Sequence, residues 1–289
     1  MRKIGFCVYS LTVVSCLAVG CVSNKAIKEF TGTSLEATRR LPVLATDLAE
    51  SCVRQNQYTA IREGQFDPIK LRRDAEAEKE CISLKASAKN FVVANKVLVQ
   101  YLQTLDKLAG DDIVTYDKSI DKLVANLGDS KLIPKAQVTT LSKLANLVSE
   151  ASSTGWRRKK LGKAIAQANP DIQTLLATLS TIIKNDYVQL LQNEQLAAKN
   201  LYLGTIKENA KKEPAAVVLL QHQWNNEFNA LEDRKVAAAT YASVLTTIAQ
   251  GHKHLFDNQA RLSRKEVRKE ILGYTSKLVP LIDEIHDNL

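Results

Sequence analysis

From Ala77 to Ala109 one stripe repeats in strict four-three alternation: Ala77, Cys81, Leu84, Ala88, Phe91, Asn95, Leu98, Leu102, Leu105, Ala109. Only a helix keeps such a spacing on one face, and a stripe this long is stable only when buried against another helix. A strand would need alternation with a period of two, and no run of alternating β-branched residues occurs in the chain. Asn95 is the one polar member, and a single buried amide in a seam can fix the register of the packing.

The remaining segments read the same way. Prolines number 6 and glycines 11 in 289 residues, aromatics make up 6%, and Ala, Leu, Lys, Gln and Asn fill the long stretches, as suits helices. Leu41, Ala45, Leu48 and Cys52 form a seam, and Pro42 in its first turn restarts or bends the helix. A short helix is expected near Tyr116 to Leu127, then a break at "GDSKLIP", then a helix from Pro134 to about Ser152. Another short helix should end before Pro170. A long one follows on Ile172, Leu176, Leu179, Ile183, Tyr187, Leu190, Ala197 and Leu201. Pro214 opens the next, with Leu220, Trp224, Phe228, Leu231, Ala238, Tyr241, Leu245, Ile248 and Leu255 on its face. Ser263 and Glu266 make a capping box for a last helix that Pro280 should kink or split. No repeat of fixed period is present, so a solenoid is disfavoured. The expectation is an all-α, elongated up-and-down bundle of six or seven helices with coiled-coil-like packing.

The first twenty residues are different. Met1-Arg2-Lys3 is a short positive start, Ile4 to Gly20 is mostly apolar without a charge, and small residues precede Cys21. That is the layout of an export signal, and it is short for a span of about 20 apolar residues. Ala18-Val19-Gly20-Cys21 resembles the lipobox of bacterial lipoproteins, with Ala18 where Leu is usual. The resemblance implies cleavage before Cys21 and attachment of acyl chains to its thiol. Val13-Val14-Ser15-Cys16 is a second candidate, but it leaves a very short apolar segment before it. Val22 after the cysteine, by resemblance to enteric lipoproteins, implies an outer-membrane anchor facing the periplasm. Residues 1–20 are thus read as signal peptide, 21–33 as a polar tether and 34–289 as the bundle. The first helix begins near Ser34, behind a Thr33/Glu36 capping box.

Two cysteines remain, Cys52 and Cys81, and in an exported chain they are expected to pair. They lie at similar distances on either side of "IREGQFDPIK", a turn with Gly64 as helix stop and Asp67-Pro68 as helix start. An antiparallel hairpin brings both to one level, each on its apolar seam.

No phosphate-cradling glycine loop, nucleophile elbow or HExxH is present. His252 and His254 are two apart, so a helix sends them to different sides; His222 and His286 stand alone. No catalytic residue, cofactor or metal is expected, and acidic residues are read as solvated partners of lysines. The best surface candidate is "GWRRKKLGK": 151–170 contains no acid, while Arg157, Arg158, Lys159, Lys160 and Lys163 are positive. On a helix, Leu161, Ala164, Ile165 and Ala168 share one face, leaving Trp156 outside among the lysines. That arrangement suits anionic lipid or an anionic envelope polymer, whereas the alternative is a solvated basic face with Trp156 packed inward. Loss of Arg2 and Lys3 takes the net charge from +9 to +7, so the mature chain stays basic. Export argues against nucleic acid as the partner. The sequence reading is a non-enzymatic envelope lipoprotein, held to the membrane by its lipid, acting as scaffold or binding module for an envelope protein. The alternatives are a periplasmic inhibitor or immunity-type protein and, behind it, a cell-wall hydrolase.

Overall fold

A computed structural model of the chain describes residues 20–64, 79–127 and 132–288, and all regular structure among them is helical. The elements are α1 (Gly20–Thr38), α2 (Leu41–Arg62), α3 (Ile82–Gly110), the short α4 (Ser119–Ala125), α5 (Lys135–Ser153), α6 (Leu161–Thr181), α7 (Val188–Asn209), α8 (Pro214–Asp257) and α9 (Lys265–Asn288). A six-residue π segment, Ile182–Tyr187, joins α6 to α7 without interruption. With α6 and α7 counted as one rod, the described residues form seven long rods of an all-α bundle. The 44 residues of α8 alone are about 66 Å long at 1.5 Å per residue.

Antiparallel pairing follows from which residues meet. Cys52 of α2 is bonded to Cys81 just before α3, with Cα atoms 6.0 Å apart. Further along, the Asn95 amide donates to the Thr38 carbonyl (3.3 Å), the Thr31 hydroxyl to Asp106 (3.2 Å), and Lys28 lies 3.7 Å from Asp112. Residue numbers rise on one side as they fall on the other, so α3 runs back along α1 and α2 in turn. The expected disulfide and the expected hairpin are thus both present. Asn95 acts at the gap between α1 and α2, where helix-end carbonyls lack intrahelical partners. Pro42, in the first turn of α2, needs no donor there and restarts the helix.

The long hairpin of α6–α7 against α8 obeys the same rule: Gln173 donates to the Ala249 carbonyl (2.9 Å), and farther up the hairpin Gln195 donates to Glu232 (2.6 Å). Around it α1 packs on α3 and α9, α2 on α3 and α7, and α5 on α3 and α6. The core is mainly Leu and Ala, filled out by Phe30, Phe91, Tyr101, Tyr187 and Tyr241. Phe30 lies against Gly251 where a Cβ would stand, so this α1–α8 approach requires glycine.

Three expectations are corrected. Residues 21–33 are helical as part of α1 and not an extended tether: Ala26, Ile27, Phe30 and Thr31 are buried, and Ser34 lies inside the helix instead of starting it. Packing on α3 and α9 supplies what the mixed local sequence does not. Pro170 does not end a helix; α6 passes through it, with Ile165, Ala168, Ile172 and Leu175 buried on both sides. Burial on that scale outweighs a penalty of about 3 kcal/mol. The last helical residue of α3 is Gly110, followed by Asp111 in the left-handed conformation (φ 63°). Likewise α9 continues unbroken across Pro280. Asp67 and Pro68 lie outside the described residues.

Candidate functional site

The bundle divides into two lengths with different chemistry. In the lower length, where α1, α3, α5, α6, α9 and the second half of α8 meet, the core contacts are mainly apolar. Above it, α2, α7 and the first half of α8 are joined by charge. Arg54 donates from Nε to Glu194 (2.5 Å) and from Nη2 to Asp47 (2.9 Å), while Arg234 reaches Glu194 at 3.4 Å. Glu194 is fully buried, between two arginines whose side chains are each 22% exposed. Tyr187 donates to the other oxygen of Asp47 (2.5 Å), and Tyr58 to Glu227.

These residues are together because of the π segment. An extra residue per turn slips the helix by one position, so the seam expected at Leu190 and Ala197 is replaced by Leu191, Glu194 and Ala198. Glu194 thereby moves into the core. The reading of acids as solvated partners of lysine fails here, and the available signal was the seven-residue spacing of Asp47 and Arg54 on one face of α2. Burial lowers the basicity of Arg54, but Glu194 and Asp47 more than offset this and hold it above its ordinary value. Burial and Asp47 together push Tyr187 up, so it stays a donor. Beside this cluster a groove of about 450 Å³ opens between α2 and α3, with Glu50, Arg54, Gln57, Lys85 and Lys89 on its walls.

His252 is buried to 1% exposure, deeper than a half-buried seam position. Its Nδ1 lies 3.2 Å from Asn169 Oδ1 and its Nε2 2.6 Å from the Tyr101 hydroxyl. With Nδ1 donating, Nε2 accepts from tyrosine and every partner is satisfied by a neutral ring. Burial lowers its pKa to about 3, which keeps it neutral. Both ring nitrogens are thus occupied by protein partners within the core. Among the described residues no group of histidine, cysteine or carboxylates could hold a metal, and no helix is long and apolar enough to cross a membrane.

The basic segment departs from its expected shape. The helix begins only at Leu161, after a single 3₁₀ turn at Arg158–Lys160, so Trp156 precedes it and turns inward. Trp156 is 5% exposed, and Lys163 Nζ sits over its ring at 4.7 Å. An outward Trp156 among cations is therefore corrected to a packed one. Leu161, Ala164, Ile165 and Ala168 are buried as expected, while Arg157, Lys159, Lys160 and Lys163 are exposed. Arg157 donates to the Asp111 carbonyl (2.8 Å) and the Arg158 amide to the Asp111 carboxylate (3.0 Å).

At the opposite end α8 has no buried residue before Leu231; among the described residues α7 packs along it and Tyr58 near the end of α2 reaches its Glu227. Trp224 is half-buried and Phe228 is 41% exposed, so these two expected core positions form a surface instead. Tyr58, Tyr202, Trp224 and Phe228 make a chain of tilted rings with centroids 6.3, 6.0 and 5.6 Å apart. Leu196 and Leu203 border the same groove, and Val218 and Leu219 beyond it are 67% and 71% exposed. No protein-family model, curated protein or solved structure matches the chain.

Proposed function

We propose that this chain is an envelope lipoprotein, anchored through Cys21, which works without catalysis as a helical scaffold or binding module for another cell-envelope component. The observation that carries the reading is the Cys52–Cys81 bond. Structural disulfides persist outside the reducing cytosol, and the leader before Cys21 supplies the route there. The far half of the α7–α8 hairpin, with its ring chain and exposed Leu196, Leu203, Val218 and Leu219, is the surface offered to the partner. Exposed aromatic and aliphatic groups on a rigid hairpin are typical anchors of protein interfaces.

Acyl labelling of the native protein tests the anchor: Cys21→Ser should abolish labelling and delay leader removal, whereas undiminished labelling overturns the assignment. Co-purification from solubilised membranes tests the module. A partner retained by the native chain and lost on Leu203→Asp with Leu219→Asp supports it; retention by that variant refutes the surface.

A second reading, an inhibitor or immunity-type protein, draws on the same projecting hairpin, which has the form of a plug for a cleft. It calls for capture of one secreted enzyme whose activity falls on binding, whereas a scaffold leaves its partner's activity intact.

A further inference from the structure

We propose that the end of the bundle at Cys21 is a basic rim, built from two segments distant in sequence, which seats the domain on the anionic phospholipid headgroups around its own anchor. The proposal rests on acylation of Cys21.

The first segment is the one visible in the sequence, at residues 155–163. The second is the α8–α9 connection and the first turn of α9, residues 258–269. Together they hold ten lysines and arginines and one acid, Glu266. They are adjacent because Gly162 lies against the carbonyl of Gln259, 3.6 Å from where a Cβ would stand. Arg157, Lys159, Lys160, Arg261, Arg264 and Lys265 are all exposed. The acids nearby are already engaged: Asp111 accepts from the Arg158 amide, Asp112 pairs with Lys28, Glu150 with Lys163 and Asp257 with Lys253. The rim therefore keeps a positive surplus.

Its distance from the bilayer follows from α1. Lys28, which meets Asp112 beside the rim, is seven residues from Cys21, or about 10 Å of helix. A tether of thirteen extended residues would have allowed roughly 45 Å. Screening decays over about 8–10 Å at physiological salt, so a helix keeps these cations within reach of the headgroup charge, where a tether would not. Basic residues next to a lipidated terminus supply a second membrane signal beside the acyl chains. A lipid surface is favoured over a soluble polymer because the anchor itself delivers the rim to it.

The test uses the acylated full-length protein in vesicles of phosphatidylcholine alone or with 30% phosphatidylglycerol, labelled at Ser263→Cys and read by quenching from headgroup-labelled lipid. Expected is quenching that rises at least several-fold with phosphatidylglycerol, falls in 0.5 M salt, and is lost when Arg157, Lys159, Lys160, Arg261, Arg264 and Lys265 become Gln. Replacing Lys199, Lys207 and Lys211 at the other end should leave it unchanged, and matching thermal melts show that both variants are folded. Equal quenching in the two compositions, or equal loss in both variants, overturns the rim while leaving the anchor intact. Release from both vesicles in 1 M salt overturns the anchor, and phosphatidylglycerol-dependent quenching at low salt would still support the rim.

Discussion

The lower and upper lengths of the bundle are built from the same rods yet held by different forces. Below Leu231 of α8, toward the Cys21 end, Leu, Ala and Ile from six helices interlock, and the buried His252 ring, held by Tyr101 and Asn169, is neutral. Above it, three helices and the start of α3 share a charged cluster, a disulfide and a half-exposed ring chain. Among the described residues fewer helices enclose the upper length than the lower, and there directional bonds and a covalent clamp join them. The lesson is a division of labour in which a dry core fixes the rod and a sparsely covered hairpin leaves apolar surface available.

The largest effect should come from Glu194. Its removal leaves Arg234 without the carboxylate it faces, and Arg54 with only Asp47 and the more distant Glu50. Breaking one side of a buried pair costs about 3–5 kcal/mol. Glu194→Leu should therefore open the upper length in native-state hydrogen exchange, in α7 and the first half of α8, while α3 and α5 stay protected. Equal loss of protection in both lengths would break the comparison. Combining it with Arg54→Met, Arg234→Met and Asp47→Asn should return most of the stability, since the charges of the cluster are then removed together.

Next is the disulfide. Cys52 and Cys81 close a loop with a sequence separation of 29, for which loop entropy gives roughly 3–4 kcal/mol. Cys52→Ser with Cys81→Ser should lower the denaturation midpoint and again expose α2 before α5. Free thiols in the native exported protein, found by mass mapping under non-reducing conditions, would remove the clamp from the account altogether.

How much of this the sequence reveals depends on how local the cause is. The seam from Leu84 to Ala109 and the shared level of Cys52 and Cys81 are legible because a straight helix keeps its phase and a hairpin keeps its count. The slip at Ile182–Tyr187 has no such local mark, so Glu194 reads as a surface acid although it is the centre of the upper cluster. The helical state of 21–33 is equally hidden, since the triplet Ala26, Ile27, Phe30 is short and its partners lie more than 60 residues away. Trp156 reads either outward among the cations or packed inward, because the helix start is not marked locally; a 3₁₀ turn moves that start to Leu161 and the packed alternative holds. The basic rim needs two segments about a hundred residues apart, and only the first stands out alone.

In the lower length a steric change should act everywhere. Gly251→Ala places a methyl group against the Phe30 ring, and overpacking a filled core costs typically 1–3 kcal/mol. Chemical denaturation should show one cooperative transition at lower denaturant, with α1, α8 and α9 losing protection together. Phe30→Leu in the same chain should recover part of the loss. Recovery would assign the cost to that contact, and loss confined to the upper length would contradict the division.

The smallest effect is one of pH, and it separates the two lengths by sign of charge. His252 has a folded pKa of about 3 against an ordinary value near 6.5, so between these values the unfolded chain binds a proton that the native core refuses. Stability from this residue is present above about pH 6.5 and is lost as pH falls toward 3. One unit below 6.5 the loss is about 1.4 kcal/mol by linkage. His252→Gln, which can still accept from Tyr101 and donate to Asn169, should flatten the dependence of unfolding free energy on pH between 6.5 and 5 relative to the native chain. An unchanged slope would mean that the ring is charged in the folded state, and the lower core would then hold a cation after all.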